Sequence, residues 1–245
     1  MSVLDDLLRR GWPALSEVDV DGWVARVSGG VTQRANSVAP LAVPPDVGSA
    51  MARVERLYGA HGLPAVFQLG PTVWPPDLDE RLAARGYRYG SPTTVEVAEV
   101  APVLSRLPSG APSAITALPD EEWMDLWWAV DGRGDDVARD VARWILTAGP
   151  ALYGSVRDER GVAAVARLAL VGEWGGLYCM AVRADARRRG LGSVVLRGVL
   201  SAAVGLGVRR CWLQVRASNA AARALYAGAG FTEAARYHYR TQVRG

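Results

Sequence analysis

Short apolar runs and helically spaced apolar residues alternate along the second half of the chain. The runs LYCMAV and RRCWLQV are typical of buried strands. Between them, the apolar residues of SVVLRGVLSAAVGLG fit one face of a helix, and SNAAARALYAGAGF predicts a short helix that closes on Gly230. The final segment, TEAARYHYRTQV, has the alternation and aromatic content of a strand or hairpin. This order of elements predicts an α/β fold.

The first half of the chain repeats this order in weaker form. The segment AVFQL matches CWLQV 146 residues later, and ARGY, ending at Tyr87, matches AGF, ending at Phe231, 144 residues later. Matches at nearly one offset indicate a tandem, pseudo-duplicated architecture. We expect a first domain over residues 1–105 and a second over residues 113–245. The expected linker is VAPVLSRLPSGAPSA, residues 100–114, which is punctuated by proline and glycine.

Two helices and a hairpin are predicted directly after the linker. PDEEWMDLWWAV and DDVARDVARWILTAG have helical patterns, with Asp120 and Asp135 as expected N-caps. ALYGSVRD and GVAAVARLALV then predict a strand hairpin. Four tryptophans recur at helical spacing and are expected to be mostly core; for one or two of them, the alternative is to line a pocket for an apolar or aromatic acceptor. They are Trp123, Trp127, Trp128 and Trp144.

Composition narrows the class of protein. The chain has 245 residues, of which 50% are hydrophobic and 22% charged, with no apolar run near the ~20 residues of a membrane span. Its first residues lack a signal-peptide pattern, so we expect a cytoplasmic protein without a membrane partner. Cys179 and Cys211 lie in apolar runs without paired spacing, which predicts buried thiols and no metal site. The net charge of +3 is weak support for a nucleic-acid partner, and none is expected.

The segment with the clearest chemistry joins LYCMAV to the helix that follows it. It reads RRRGLG from Arg187 to Gly192, and two glycines let the backbone approach a ligand closely. The N–H groups at the helix start, the helix dipole and three arginines all favour a phosphate group. A solvated basic turn is the simpler alternative. The spacing matches neither the P-loop of nucleotide triphosphatases nor the three-glycine dinucleotide fingerprint, which makes ATP and NAD poor candidates.

This segment resembles the R-x-x-G-x-G diphosphate motif of the GNAT superfamily of N-acetyltransferases. A second resemblance follows, because NAAARALYAGAGF is similar to the family pattern N-x-x-A-x-x-x-Y-x-x-x-G-F. The likeness covers residues 114–242 well and the first half only in outline, where PPDVGSA carries no arginine. It implies a GNAT fold, with a mixed central sheet and flanking helices, in two tandem halves. The first half is expected to be a degenerate copy that does not bind coenzyme A.

The resemblance implies acetyl-CoA as co-substrate and no metal. In the family, the pantetheine arm enters where two parallel strands part, here LYCMAV and RRCWLQV, and the diphosphate lies on the amides of the turn. The residues implied to bind acetyl-CoA are Met180, Ala181, Val182, Arg187, Arg188, Arg189, Gly190, Leu191, Gly192, Ser193, Asn219, Ala222 and Tyr226. For Asn219, simple helix capping is an equal alternative.

Direct attack of an amine on the thioester needs no protein nucleophile but needs two proton transfers. The resemblance implies Tyr226 as general acid, against the alternative of an aromatic that only packs. Glu173, just before the central strand, is the expected general base. Its rivals are the carboxylates of the loop between the two helices, together with a histidine on the last strand. These are Asp131, Asp135, Asp136 and His238.

The expected function is therefore acetyl transfer from acetyl-CoA to a primary amine of a small molecule, such as an amino acid, an amino sugar or an antibiotic. Two alternatives stay open: a peptide or protein amine as acceptor, and a non-catalytic module that only binds acyl-CoA. The expected partners are acetyl-CoA and the amine, with the protein a monomer or homodimer.

Overall fold

The computed structural model describes residues 2–70, 72–108 and 113–243. Strands in this part of the chain form one eleven-stranded sheet. The strands are β1 (Ser16–Val20), β2 (Trp23–Val27), β3 (Val38–Pro40), β4 (Val66–Leu69), β5 (Arg88–Glu99), β6 (Ala114–Thr116), β7 (Ala151–Asp158), β8 (Gly161–Val171), β9 (Trp174–Val182), β10 (Arg210–Arg216) and β11 (Thr232–Thr241). The helices are α1 (Val3–Gly11), α2 (Val47–Ala60), α3 (Leu78–Ala84), α4 (Val100–Arg106), α5 (Glu121–Asp131), α6 (Asp136–Thr147), α7 (Leu191–Val204) and α8 (Ala220–Ala229).

The sheet is mixed, and its two halves exchange their last strands. The order is β1-β2-β3-β4-β11-β5-β10-β9-β8-β7-β6. The pairs β3/β4 and β9/β10 run parallel, and the other neighbours run antiparallel. Strand β5 of the first half lies beside β10, and β11 of the second half lies beside β4. The division into residues 1–105 and 113–245 stays a prediction, and the backbone hydrogen bonds of the sheet cross it.

The elements predicted for the second half are present, and both predicted caps are confirmed. The Asp120 carboxylate accepts from the N–H of Trp123, and that of Asp135 accepts from Ala138. The predicted linker is partly wrong, because its first residues form α4. Val100 and Val103 bury this helix against the sheet, and Pro102 sits in the first turn, where a missing N–H costs no hydrogen bond. Residues 109–112 lie outside the described part of the chain.

The two faces of the second half of the sheet carry separate cores. Helices α1, α5 and α6 cover what we call the α5 face, where Trp123, Trp127 and Trp212 are buried. Helices α4, α7 and α8 cover the α7 face, which buries Leu196 and Leu213 among others. A third core, under α2 and α3, belongs to the first half. The faces matter for function because they are the two sides from which a ligand can reach the central strands.

Of the four predicted core tryptophans, two behave as expected. Trp123 and Trp127 are buried, and the indole N–H of Trp123 donates to the carbonyl of Gly154. Trp128 is half-buried, and Trp144 is 58% exposed and lies outside the core. Within the described residues, no helix is both long enough and apolar enough to span a bilayer.

Candidate active site

The central parallel strands part halfway along their length. Strands β9 and β10 pair from Trp174 opposite Arg210 to Leu177 opposite Leu213. Residues 178–182 of β9 and 214–216 of β10 extend beyond this pairing, and we call the gap between them the wedge. Because β9 is paired with β8 on its other side, the wedge exposes one edge of β9 to a ligand.

A β-bulge lies on β9 at the start of the wedge. The register with β8 shifts between Val165 and Arg167, so Cys179 and Met180 together oppose a single residue. Cys179 adopts a left-handed backbone with φ of 53°. Met180 packs on the α7 face and Cys179 on the α5 face. Bulges of this kind redirect backbone groups locally, and this one lies at the backbone predicted to bind pantetheine.

The arginine turn, residues 183–190, leads from β9 into α7. Gly190 caps α7 with φ of 77° and offers no side chain to the helix. The amides of Ser193 and Val194 donate to the Gly190 carbonyl, which leaves the earlier N–H groups of the helix start without an intrahelical partner. A Cβ placed on Gly190 would meet no atom within 4 Å. The turn therefore presents open amides at the end of the wedge.

The arginines of the turn are not equivalent. Arg183 and Arg189 both bind Asp158, at 2.9 and 3.0 Å. These contacts lower the pKa of Asp158 to about 2, with Arg183 the largest cause. Arg187 donates from Nε to the carbonyl of Val182 at 3.4 Å, and Arg188 makes no ion pair with the described residues. Within the arginine turn, Arg187 and Arg188 are thus the two guanidinium groups without a carboxylate partner among the described residues.

Helix α8 brings its predicted residues to the α7 face. Asn219 accepts from the N–H of Ala222 at 3.1 Å, so in this structure it caps the helix. Tyr226 is 7% exposed, and its ring meets Phe231 edge-on at 5.8 Å. Burial, and secondarily the charge of Glu96, raises the pKa of Tyr226. The phenol is therefore held neutral, as a hydrogen-bond donor must be.

Glu173 is not brought to the wedge. It precedes β9 in a turn, where its carboxylate pairs with Arg210 at 3.3 Å and is 54% exposed. Its carbonyl accepts from the amides of Arg209 and Arg210. Met180 lies seven residues further along the strand, roughly 20 Å away at the rise of an extended chain. The role of Glu173 as base stays a prediction that this position does not favour.

The rival bases occupy different places. Asp135 caps α6, and Asp136 follows it on the exposed surface. His238 hydrogen-bonds Asp79 at 3.1 Å on β11, two strands away from β10. Asp131, the last residue of α5, acts electrostatically on the Cys179 thiol at the bulge. Of the candidate carboxylates, Asp131 belongs to the helix that packs on β9 on the α5 face.

A polar network that the sequence reasoning missed closes the base of the wedge on the α5 face. Gln214 donates from Nε2 to the Tyr178 hydroxyl at 3.2 Å and accepts from Arg34 Nε at 2.9 Å. The Tyr237 hydroxyl donates to the same Gln214 oxygen. Polar residues inside apolar runs, such as the glutamine of CWLQV and Arg167 of GVAAVARLALV, were the available signal.

Both cysteines are free, and neither is a nucleophile at neutral pH. Cys211 is buried, as predicted, and burial raises the pKa of its thiol to about 12. Cys179 is half-buried rather than buried, and removal of water by the residues packed around it again raises the pKa of its thiol. The site therefore suits direct attack by an amine rather than a covalent intermediate on sulfur.

Comparison with known proteins identifies the family to which this site belongs. The family described as "Probable histone acetyltransferase Rv0428c C-terminal" matches residues 4–240. The chain belongs to this family. The uncharacterized N-acetyltransferase YobR of Bacillus subtilis (strain 168) is 27% identical over 240 residues, which is 97% of this chain and 96% of YobR.

Solved structures show the same fold for this GNAT acetyltransferase. A GCN5-related N-acetyltransferase from Kribbella flavida matches 99% of this chain and 95% of its own, with a TM-score of 0.72 and 15% identity. A tandem GNAT protein from the clavulanic acid biosynthesis pathway matches 80% of this chain and 69% of its own, with a TM-score of 0.63 and 16% identity. The resemblance to the GNAT superfamily and the mixed α/β fold are confirmed, and the protein is an N-acetyltransferase of GNAT type.

Proposed function

We propose that this N-acetyltransferase moves an acetyl group from acetyl-CoA to a primary amine of a small molecule, such as an amino acid, an amino sugar or an antibiotic. One observation carries the proposal: β9 and β10 part after Leu177 and Leu213, and the parted strand leads directly into a turn whose helix begins with a bare glycine cap. An exposed strand edge suits an amide-bearing arm, and an open helix N-terminus suits a diphosphate.

The residues that would hold acetyl-CoA follow from these contacts. The open amides of residues 188–193 lie where a diphosphate gains from the helix dipole, and Arg187 and Arg188 have no competing carboxylate. The backbone of Met180, Ala181 and Val182 forms the free edge of β9 beyond its pairing with β10. Asn219 caps α8 in this structure, so its contribution to binding would be indirect.

The chemical step balances without a protein nucleophile. The amine nitrogen attacks the acetyl carbon, the new C–N bond forms and the C–S bond breaks, and coenzyme A leaves through its sulfur. An ammonium acceptor must give up one proton before attack and a second as the amide forms. The neutral Tyr226 hydroxyl would donate its proton to the departing sulfur and would regain one from the nitrogen. Of the two protons lost by the nitrogen, the coenzyme A thiol therefore keeps one in the net reaction, and solvent takes the other.

For the first proton we propose Asp131 rather than Glu173. Asp131 ends α5, the helix that packs on β9, whereas Glu173 precedes the paired end of β9 and is engaged by Arg210. A carboxylate on this face would also attract a cationic amine. Its side chain is exposed, so it would pass the proton on to water.

The enclosure of the wedge supports a small acceptor. Arg34 and Trp12 of the first half and Trp128 of α5 all lie on the α5 face, so both halves of the chain surround that side. The second candidate, a peptide or protein amine, is favoured by the description of the matching family as a probable histone acetyltransferase.

A thiol-release assay with acetyl-CoA and a panel of small amines and amine-bearing peptides tests the proposal. We expect release with small amines above the rate with peptides, and Asp131→Asn to lower kcat by about 10- to 100-fold. Glu173→Gln is the matched control and should retain wild-type turnover. Calorimetric titration should show acetyl-CoA binding. Binding without turnover on any amine would leave the non-catalytic alternative, and no binding would overturn the site.

A further inference from the structure

Two arginines on the α5 face of the wedge have no carboxylate partner. Arg34 comes from the loop after β2, and Arg167 comes from β8. Neither forms an ion pair with any residue in the described ranges, although most of the described arginines of the turn and helices do. Each guanidinium lies beside the Trp12 ring, at 5.7 and 5.8 Å from its centroid. Two positive charges therefore flank one indole without a counter-charge.

Arg34 is tied directly to the base of the wedge. Its Nε donates to Gln214 at 2.9 Å, and Gln214 donates to the Tyr178 hydroxyl at 3.2 Å. Gln214 and Tyr178 are the first residues beyond the last paired residues of β10 and β9. Arg34 thus lies one hydrogen bond from the point where the strands part, and the residue is half-buried.

The loop that carries Arg34 is held by hydrogen bonds of a buried asparagine, Asn36. Asn36 is 5% exposed and accepts from the amides of Ser28 and Gly30. Its side-chain amide donates to the carbonyls of Val31 and Thr32. With a longer contact from the same amide to the Ser28 carbonyl, five hydrogen bonds of one buried side chain hold the loop in place, so Arg34 is pre-organised before any ligand arrives.

Arg167 has a structural role and one unused donor group. Its Nε and Nη1 donate to the carbonyls of Leu146 and Gly11, at the C-terminal ends of α6 and α1. Helix C-termini carry partial negative charge, which favours a guanidinium at this position, where the residue is only 1% exposed. Its Nη2 is buried and has no hydrogen-bond partner among the described residues. An unpaired buried donor is costly unless a ligand or water satisfies it.

The α5 face also carries a negative charge. Asp131 is the last residue of α5, and this helix packs on β8 and β9 on the face where Arg34 and Arg167 lie. Groups of both signs therefore belong to the same face of the sheet as the wedge. A ligand that carries both an amine and an anionic group would complement both.

We propose that the acceptor is an amino acid or a similar small molecule with a carboxylate near its reacting amine, and that Arg34 binds this carboxylate. The proposal rests on the acetyl-transfer function given above. Arg34 presents a planar fork that matches a carboxylate, and Arg167 adds positive charge from beneath Trp12. The amine would then face the wedge. A peptide N-terminus has no adjacent carboxylate and would leave Arg34 without an anionic partner.

Steady-state kinetics on matched acceptors tests this role. The panel contains L-α-amino acids, the corresponding amino-acid amides and the corresponding alkylamines, with acetyl-CoA saturating. We expect kcat/KM for the best amino acid to exceed that of its amide by about 10- to 100-fold, the value of one charge-assisted bidentate contact. Arg34→Gln should remove this preference, through a higher KM for the amino acid, and change the amide value little.

Arg10→Gln is the matched control, because Arg10 is an exposed arginine of α1 that pairs only with Asp6. It should leave both acceptor series unchanged. Equal kcat/KM for amino acids and amides, or an equal loss on both series in Arg34→Gln, would overturn the carboxylate proposal while acetyl transfer stands. Absence of thiol release with every acceptor, together with no binding of acetyl-CoA, would instead remove the proposed function and this inference with it.

Discussion

The two parallel strand pairs of this protein occupy corresponding places in its two halves and differ in detail. In the first half, β3 and β4 pair through a single position, Val38 opposite Phe67, and a helix, α2, connects them. In the second half, β9 and β10 pair from Trp174 to Leu177 on β9 before they part, and α7 connects them. Both halves therefore contain parallel strands that part. Among the described strand pairs, a bulge lies at the parting point in the second half, on β9, and the pairing of β3 with β2 has none.

The starts of the two connecting helices differ more. Asp46 caps α2, and its carboxylate accepts from the Ser49 amide at 2.6 Å. Gly190 caps α7 with no side chain, and an arginine turn precedes it. A carboxylate at a helix start occupies the amides and repels phosphate, whereas a bare glycine leaves them available. The two helices occupy corresponding places in the fold, and the residue at the N-cap decides whether the first amides of the helix can bind a diphosphate.

The largest effect is expected when α7 receives the cap of α2. Gly190→Asp should weaken acetyl-CoA binding by about 100-fold, because the new carboxylate both occupies the helix-start amides and repels the diphosphate. Titration calorimetry measures the change. Gly207→Asp is the matched control, since Gly207 also has positive φ, of 89°, and open space around its Cβ. Equal affinities of the two variants would contradict the diphosphate site.

A smaller effect is expected at the tyrosine of α8. Tyr226→Phe should lower kcat by about 10- to 100-fold, with the KM for acetyl-CoA within about twofold of wild type, because it removes a donor to the departing sulfur and keeps the ring. Tyr87→Phe in the first half, which removes only a hydrogen bond to Glu55, should keep wild-type turnover. Unchanged turnover in Tyr226→Phe would reduce Tyr226 to a packing residue.

The smallest effect is expected at the cap of the first half. Asp46→Ala should lower the midpoint of thermal unfolding by about 2–4 °C, because α2 loses a side-chain cap. Its affinity for acetyl-CoA and the stoichiometry of one per chain should not change. Differential scanning calorimetry and titration calorimetry measure the two quantities. A second bound acetyl-CoA in this variant would show that the cap alone had closed the first half.

Much of the second half was predictable because its signals are local. The strands β9, β10 and β11 and the helices α7 and α8 follow from periodicity, and the caps Asp120 and Asp135 from residue type. The assignment of the first residues of the linker was wrong because proline was taken to exclude a helix. Pro102 instead lies in the first turn of α4, where it is tolerated.

The acceptor side was not predictable in the same way. Arg34 and Gln214 are 180 residues apart in the chain, and no local pattern reports that they meet. Glu173 was placed near the central strand by its position in the sequence, yet it begins the paired end of β9 rather than the parted end. The sequence shows how far a residue lies from a strand, but it does not show at which end of that strand its neighbour separates from it.

The sequence by itself determined the order of the elements, the arginine turn with its glycine cap, and the tyrosine of α8, because each depends on residues within one turn or one strand. Only the tertiary structure decided that β5 and β11 are exchanged, and that Trp12 and Arg34 of the first half lie on the α5 face. The physical reason is that periodicity reports which side of an element is buried but not which neighbour buries it. Strand exchange and long-range hydrogen bonds depend on which elements become neighbours, so periodicity does not report them.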